Sequence, residues 1–154
     1  MTSLSSKVLS ALKGKTFATA ESLTGGGIGA ALTAVPGSSE VYKGGIISYT
    51  NSVKEKLLGV PHDILERYGA VSPWTAGAMV SGVRKMLDSD VAISVTGLAG
   101  PGGDEFGNPV GTVYIGYEDR KMASVYHFCF YGDREAVRRQ TIEAALKIVL
   151  DNNL

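Results

Sequence analysis

Net charge, paired cysteines and membrane-length apolar runs are all missing from this 154-residue chain, and each absence removes a class of function. Fifteen Lys and Arg balance fifteen Asp and Glu, so the broad basic surface of a nucleic-acid binder has no compositional support. A small local anion site is compatible with that balance. The one cysteine, Cys129, excludes an intrachain disulfide framework, and its place in the apolar run of residues 126–131 predicts a buried, inert thiol. No stretch approaches the ~18 apolar residues of a membrane span, and residues 1–12 hold no continuous apolar segment. A soluble cytoplasmic protein without nucleic-acid or membrane partners is expected. The two histidines, His62 after Pro61 and His127 inside an apolar strand, read as structural. With Cys129 and the carboxylates they form no ligand pattern, so no metal site is predicted.

Glycine is what the chain has in excess, with 20 residues, which implies many tight turns and close backbone approaches. The hydrophobic share of 44% and charged share of 19% are ordinary for a globular fold, and residues 1–154 read as one domain with a core of its own.

Periodicity orders the elements. Leu4, Val8, Ala11 and Leu12 make a helical stripe closed by Gly14, and a strand follows at residues 16–20. Ile28, Ala31, Leu32 and Val35 repeat at helical spacing behind the glycine cluster at residues 25–29, with Pro36 and Gly37 as the stop. A second strand is expected at residues 45–50, then a helix through residues 54–58 capped by Asn51 or Ser52, and another over residues 61–67 closed by Gly69. Ser72 followed by Pro73 starts a helix whose buried face is Ala76, Met79, Val80, Val83 and Leu87. Residues 91–96 form a near-continuous apolar strand for the centre of a sheet. Residues 110–117 and 122–131 form a hairpin, with Tyr126, Phe128 and Phe130 alternating onto the core. Asp133 caps a last helix with the stripe Ile142, Ala145, Leu146, Val149 and Leu150. This order predicts an α/β protein, a three-layer α/β/α sandwich around a five-stranded mixed sheet: three parallel strands, a fourth antiparallel and a fifth parallel to the third.

Three segments could carry chemistry. Glu21-Ser22-Leu23-Thr24-Gly25-Gly26-Gly27 lies where a strand gives way to a helix, the usual ligand position of open α/β sheets. Ser22 reads either as a nucleophile or, like Thr24, as a helix cap. A nucleophile needs a base, and with both histidines poorly placed the candidates are Lys54 and Tyr49. A lysine base requires desolvation to draw its pKa down from about 10.4; otherwise Lys54 is a solvated side chain and Tyr49 only packs. Thr96-Gly97-Leu98-Ala99-Gly100-Pro101-Gly102-Gly103-Asp104 is a shaped loop whose amides could form a phosphate nest. Arg134 and Arg138 share a helix face, available either to phosphate or to Asp133 and Glu135.

Taken together, several segments resemble the C-terminal domain of the CinA family. They are Ala20-Glu21-Ser22-Leu23-Thr24-Gly25-Gly26, Val35-Pro36-Gly37-Ser38-Ser39, Ser48-Tyr49-Thr50-Asn51-Ser52-Val53-Lys54, Leu58-Gly59-Val60, Gly69-Ala70-Val71-Ser72, Thr96 to Gly103, Pro109-Val110-Gly111-Thr112-Val113 and Gly132-Asp133-Arg134. Stand-alone members of that family include nicotinamide-nucleotide amidases. The resemblance implies hydrolysis of the carboxamide of nicotinamide mononucleotide to nicotinate mononucleotide and ammonia. It also implies Ser22 as nucleophile, Lys54 as base and Tyr49 beside the serine. Thr96, Gly97, Gly100, Gly102, Gly103, Arg134 and Arg138 would hold the nucleotide. Independently of the resemblance, the free N–H groups at the helix start make Gly25 and Gly26, beside Thr24, the expected oxyanion donors. No cofactor is implied, and a homo-oligomer is. An inactive nucleotide-binding or interaction domain is the alternative.

Overall fold

A computed structural model describes residues 2–154. The elements in chain order are α1 (Thr2–Ala11), β1 (Phe17–Glu21), α2 (Gly27–Thr33), a 3-10 turn (Ser38–Glu40), β2 (Tyr42–Ile47), α3 (Asn51–Leu58), α4 (His62–Tyr68), α5 (Pro73–Leu87), β3 (Val91–Gly97), β4 (Thr112–Glu118), β5 (Ala123–Cys129) and α6 (Arg134–Asp151). The sheet runs β2-β1-β3-β4-β5, parallel among β2, β1 and β3 and antiparallel from β3 through β5. The expected α/β sandwich and mixed sheet are what the structure shows.

Strand alternation sorts the core into two layers. Phe17, Val91, Ile93, Val95, Val113, Ile115 and Tyr117 point to the face covered by α1, α2 and α6, against Val8, Leu12, Ile28, Leu32, Val137, Leu146 and Val149. The opposite face presents Ala18, Ala20 and Ala92 to Met79, Val80 and Val83 of α5, with Leu58, Val60 and Leu65 beyond. These small residues bring α5 close to the sheet: Ser94 Oγ donates to the Ala76 carbonyl at 2.7 Å, and a Cβ at Gly116 would lie 2.7 Å from that same oxygen. Each fully buried Leu, Ile or Val here contributes about 1.5–3 kcal/mol.

Capping sets the helix starts. Ser72 Oγ accepts from the Thr75 amide at 3.0 Å and Asp133 Oδ1 from the Ala136 amide at 2.9 Å, both as predicted. For α3 the cap is Thr50, whose side chain accepts from the Val53 amide, rather than Asn51 or Ser52, which fall inside the helix. The second strand ends at Ile47, so Tyr49 lies in the loop beyond it. Cys129 is exposed, contrary to the buried thiol predicted from its apolar neighbours. The reason is strand parity at the sheet edge: Tyr126 and Phe128 turn in towards α6 and the core, which directs His127 and Cys129 to the other face.

The pairing of Glu21 with Ile47 on one side and Val95 on the other aligns the ends of the three parallel strands. Ser22, Ser48 and Thr96 therefore emerge at one edge. With α2 crossing one face and α5 the other, this edge is the crevice where such sheets take ligands.

Candidate active site

Two glycines shape the turn that carries Ser22. Gly25 and Gly26 adopt φ of 58° and 100°, left-handed values that side chains resist, and they swing the chain from β1 into α2. Glu21, only 2% exposed, fastens that turn. One carboxylate oxygen accepts from Thr24 Oγ1 at 2.6 Å and from the Ile28 amide at 2.9 Å, and the other accepts from the Gly29 amide at 3.0 Å. A carboxylate on the first free amides of a helix complements its dipole.

Lys54, in the first turn of α3, is 1% exposed. Its Nζ donates to the Ser48 carbonyl at 2.8 Å and the Tyr49 carbonyl at 3.2 Å, and lies 3.2 Å from Ser22 Oγ. Burial draws its pKa down from 10.5 to about 8, because removing an ammonium from water favours the neutral amine. In that form the two carbonyls occupy both N–H groups, and the remaining lone pair is the one that faces the serine hydroxyl. Ser48 is clamped in turn, its amide donating to the Glu21 carbonyl at 2.7 Å.

These groups open into a cavity of about 320 Å³, the lower end of the size range for small-molecule sites. Of the residues predicted from sequence, Ser22, Lys54, Tyr49, Thr96, Gly97, Gly100, Gly102 and Arg134 line it. Arg134 donates to the Gly100 carbonyl at 2.6 Å and to the Tyr49 hydroxyl at 3.2 Å, which places a guanidinium at the rim. Among the described residues, no carboxylate lines the cavity. The Thr96 hydroxyl is already committed, donating to the Ala70 carbonyl at 2.6 Å.

Thr24, Gly25, Gly26, Gly103 and Arg138 lie outside the cavity lining. The Thr24 hydroxyl is held by Glu21. The Gly25 amide donates to the Ser22 carbonyl at 3.1 Å, which removes it as the expected oxyanion donor. Gly103 sits against the Asn108 carbonyl. Arg138 donates Nε to the Leu23 carbonyl at 2.9 Å and a terminal nitrogen to the Thr24 carbonyl at 3.1 Å; a phosphate role gives way to bracing the turn. Neither arginine pairs with Asp133 or Glu135.

Both histidines stand apart from the cavity. His62 is exposed between Glu55 and Glu66, and His127 stacks on Tyr114 at 4.6 Å on the edge hairpin.

Sequence reasoning missed Glu21 and the 70–71 segment. Glu21 carried a signal, a carboxylate ahead of a helix start with Thr three residues on. Ala70 and Val71 line the cavity because Thr96 and Asn108 bond their carbonyls, a tertiary arrangement with no local signature.

The profile described as CinA C-terminal domain matches residues 1–152. The chain belongs to this family. It is similar to the CinA-like protein of Parasynechococcus marenigrum, 49% identical over 148 residues, covering 94% of this chain and 35% of that protein. The CinA-like protein of Endomicrobium trichonymphae is 47% identical over 135 residues, covering 88% and 32%. The chain spans about a third of the length of these curated relatives. Among solved structures, the competence damage-inducible protein A of Klebsiella pneumoniae superposes with a TM-score of 0.95 at 34% identity, over 97% of this chain and 94% of that one. The competence/damage inducible protein CihA of Agrobacterium tumefaciens gives 0.94 at 35%, over 99% and 95%. The CinA-type fold thus extends across essentially all of this chain.

Proposed function

We propose that this CinA-family chain is an amidase that hydrolyses the carboxamide of nicotinamide mononucleotide through Ser22 and Lys54. The observation that carries the reading is a lysine 1% exposed, with its Nζ 3.2 Å from a serine hydroxyl at the floor of an open cavity. Burial alone poises that amine to act as a base near neutral pH. The guanidinium of Arg134 at the rim and the absence of lining carboxylates among the described residues suit a ligand with a phosphate at its far end.

In the reaction, neutral Lys54 accepts the Ser22 Oγ proton as Oγ bonds to the carboxamide carbon, and the carbonyl electron pair moves onto oxygen. The donor proposed for that oxyanion is the amide of Leu23, the residue that follows the nucleophile and is among those lining the cavity. Among the described residues it has no hydrogen-bond acceptor. The C–N bond then breaks, the proton on Lys54 passes to the departing nitrogen, and ammonia leaves. Water attacks the Ser22 ester with Lys54 taking its proton. The ester C–O bond breaks, Oγ regains a proton from Lys54, and nicotinate mononucleotide is the product.

The deciding measurement is ammonia release from nicotinamide mononucleotide by the pure protein. Turnover by wild type, lost in Ser22→Ala with nucleotide affinity retained, supports the reading. A folded wild type that binds the nucleotide and releases no ammonia across a wide pH range rejects it in favour of a nucleotide-binding domain.

A further inference from the structure

The charged groups of the cavity are a lysine at the floor and an arginine at the rim, and among the described residues nothing acidic lines the space between them. Lys54 has no carboxylate partner there: Nζ bonds two carbonyls and Ser22. The other charged and titratable groups around it point elsewhere. The Glu21 carboxylate is turned onto the α2 amides and Thr24, and Glu55 and Lys56 are exposed on α3. Tyr49 meets Arg134 through its hydroxyl, and on α5 the charges are Arg84 and Lys85 in the last turn, away from this edge. A protonated Lys54 is therefore a buried cation without a counter-ion, a costly state that an entering carboxylate relieves.

We propose that the cavity is a carboxylate site in its resting form, and that the acid product of hydrolysis is held there as an ion pair with Lys54, so that the enzyme is restrained by its own product. This rests on the amidase reading above. The proton balance of that reaction leads to the same place. When the Ser22 ester is hydrolysed, Oγ recovers its proton and the new carboxylic acid lies beside a neutral lysine. A carboxyl group ionises at about 4, far below the amine, so the proton moves from the acid to Lys54 and leaves carboxylate against ammonium. The lysine is then the conjugate acid of the base the next turnover needs. Both nucleotides carry the pyridinium ring and the phosphate that would face Arg134, so the difference lies at the floor alone: the carboxamide meets Lys54 as a neutral group, the carboxylate as its counter-ion.

The test compares nicotinate mononucleotide with nicotinamide mononucleotide by calorimetric titration of Ser22→Ala, which cannot turn over, at pH 6.5 and pH 9.5. Their affinity ratio cancels the ionisation of the phosphate that both carry. The acid is expected to bind roughly tenfold or more tighter than the amide at pH 6.5, with the advantage shrinking to a few-fold at pH 9.5 as Lys54 loses its proton. In Lys54→Met the advantage should vanish at both values. Equal affinities at pH 6.5, or an advantage that does not change with pH, overturn the inference. Because the pH comparison is made within one variant, its result does not depend on Lys54→Met folding. If wild type releases ammonia while acid and amide bind alike, the amidase reading stands and the product clamp falls; if wild type releases none, both fall.

Discussion

Arg138 holds the Leu23 carbonyl at 2.9 Å from 115 residues further along the chain, so the last helix braces the turn on which Ser22 stands. Its second bond, to the Thr24 carbonyl, makes the grip a fork that a flexible ammonium does not reproduce. Arg138→Lys should lower turnover about tenfold with a small change in KM, and Arg138→Met should do more while destabilising the fold by about 1–3 kcal/mol. Steady-state kinetics and urea unfolding check both. A rise in KM with kcat unchanged would return Arg138 to substrate binding.

Lys54 ties activity and stability to one titration. On the proposed amidase reading only the neutral amine can take the serine proton, so kcat/KM should rise with unit slope up to about pH 8 and then level. Stability follows the same group. Between about 8 and 10.5 the unfolded chain binds the proton that the folded chain has released, so stability rises with pH through that window and is depressed below it. The full shift corresponds to about 3 kcal/mol. Lys54→Met should therefore lower turnover by about a hundredfold or more yet match or exceed wild-type stability at pH 7, with that difference disappearing near pH 10.5. Thermal unfolding of the pair at both pH values reads the sign directly.

The Glu21 carboxylate is predicted to matter as an anion. Glu21→Gln keeps the shape but replaces an acceptor oxygen with an NH2 group that faces helix amides and weakens the field at the α2 N-terminus. A loss of about 1–3 kcal/mol in chemical unfolding is expected, together with reduced turnover because the Ser22 turn loosens. Unchanged stability would show that the three bonds at 2.6–3.0 Å are not sustained in solution.

Two glycines on α5 should respond with opposite signs to the same substitution. A Cβ at Gly82 would run into the Leu58 carbonyl at the end of α3, whereas one at Gly77 would meet only Val125 Cγ2 at an ordinary 3.7 Å. Gly82→Ala should destabilise by about 1–3 kcal/mol through overpacking and lower turnover by displacing the helix that carries Lys54. Gly77→Ala should stabilise by about 0.5–1 kcal/mol from helix propensity. Melting temperatures of the two variants beside wild type provide the comparison.

Periodicity, turn residues and caps determined the elements, the layers and the strand directions, because each depends on residues close in sequence: the Ser72 and Asp133 caps, the α5 stripe from Ala76 to Val83, and the apolar run of β3. Local reading failed at Cys129, where hydrophobic neighbours predicted burial and only the position of β5 at the sheet edge exposes one strand face. It failed again at Arg138 and Gly25, whose side chain and amide looked free for a ligand until long-range packing paired them with the Ser22 turn. The sequence by itself put Ser22, Lys54, Tyr49 and the glycine loop forward as candidates. Only the tertiary structure decided that Lys54 is buried, that two carbonyls orient its amine at the serine, and that no acidic group among the described residues enters the cavity. Those properties arise from strands aligned at one edge and helices closed over it, and desolvation and orientation are effects of everything around a group rather than of the residues beside it in the chain.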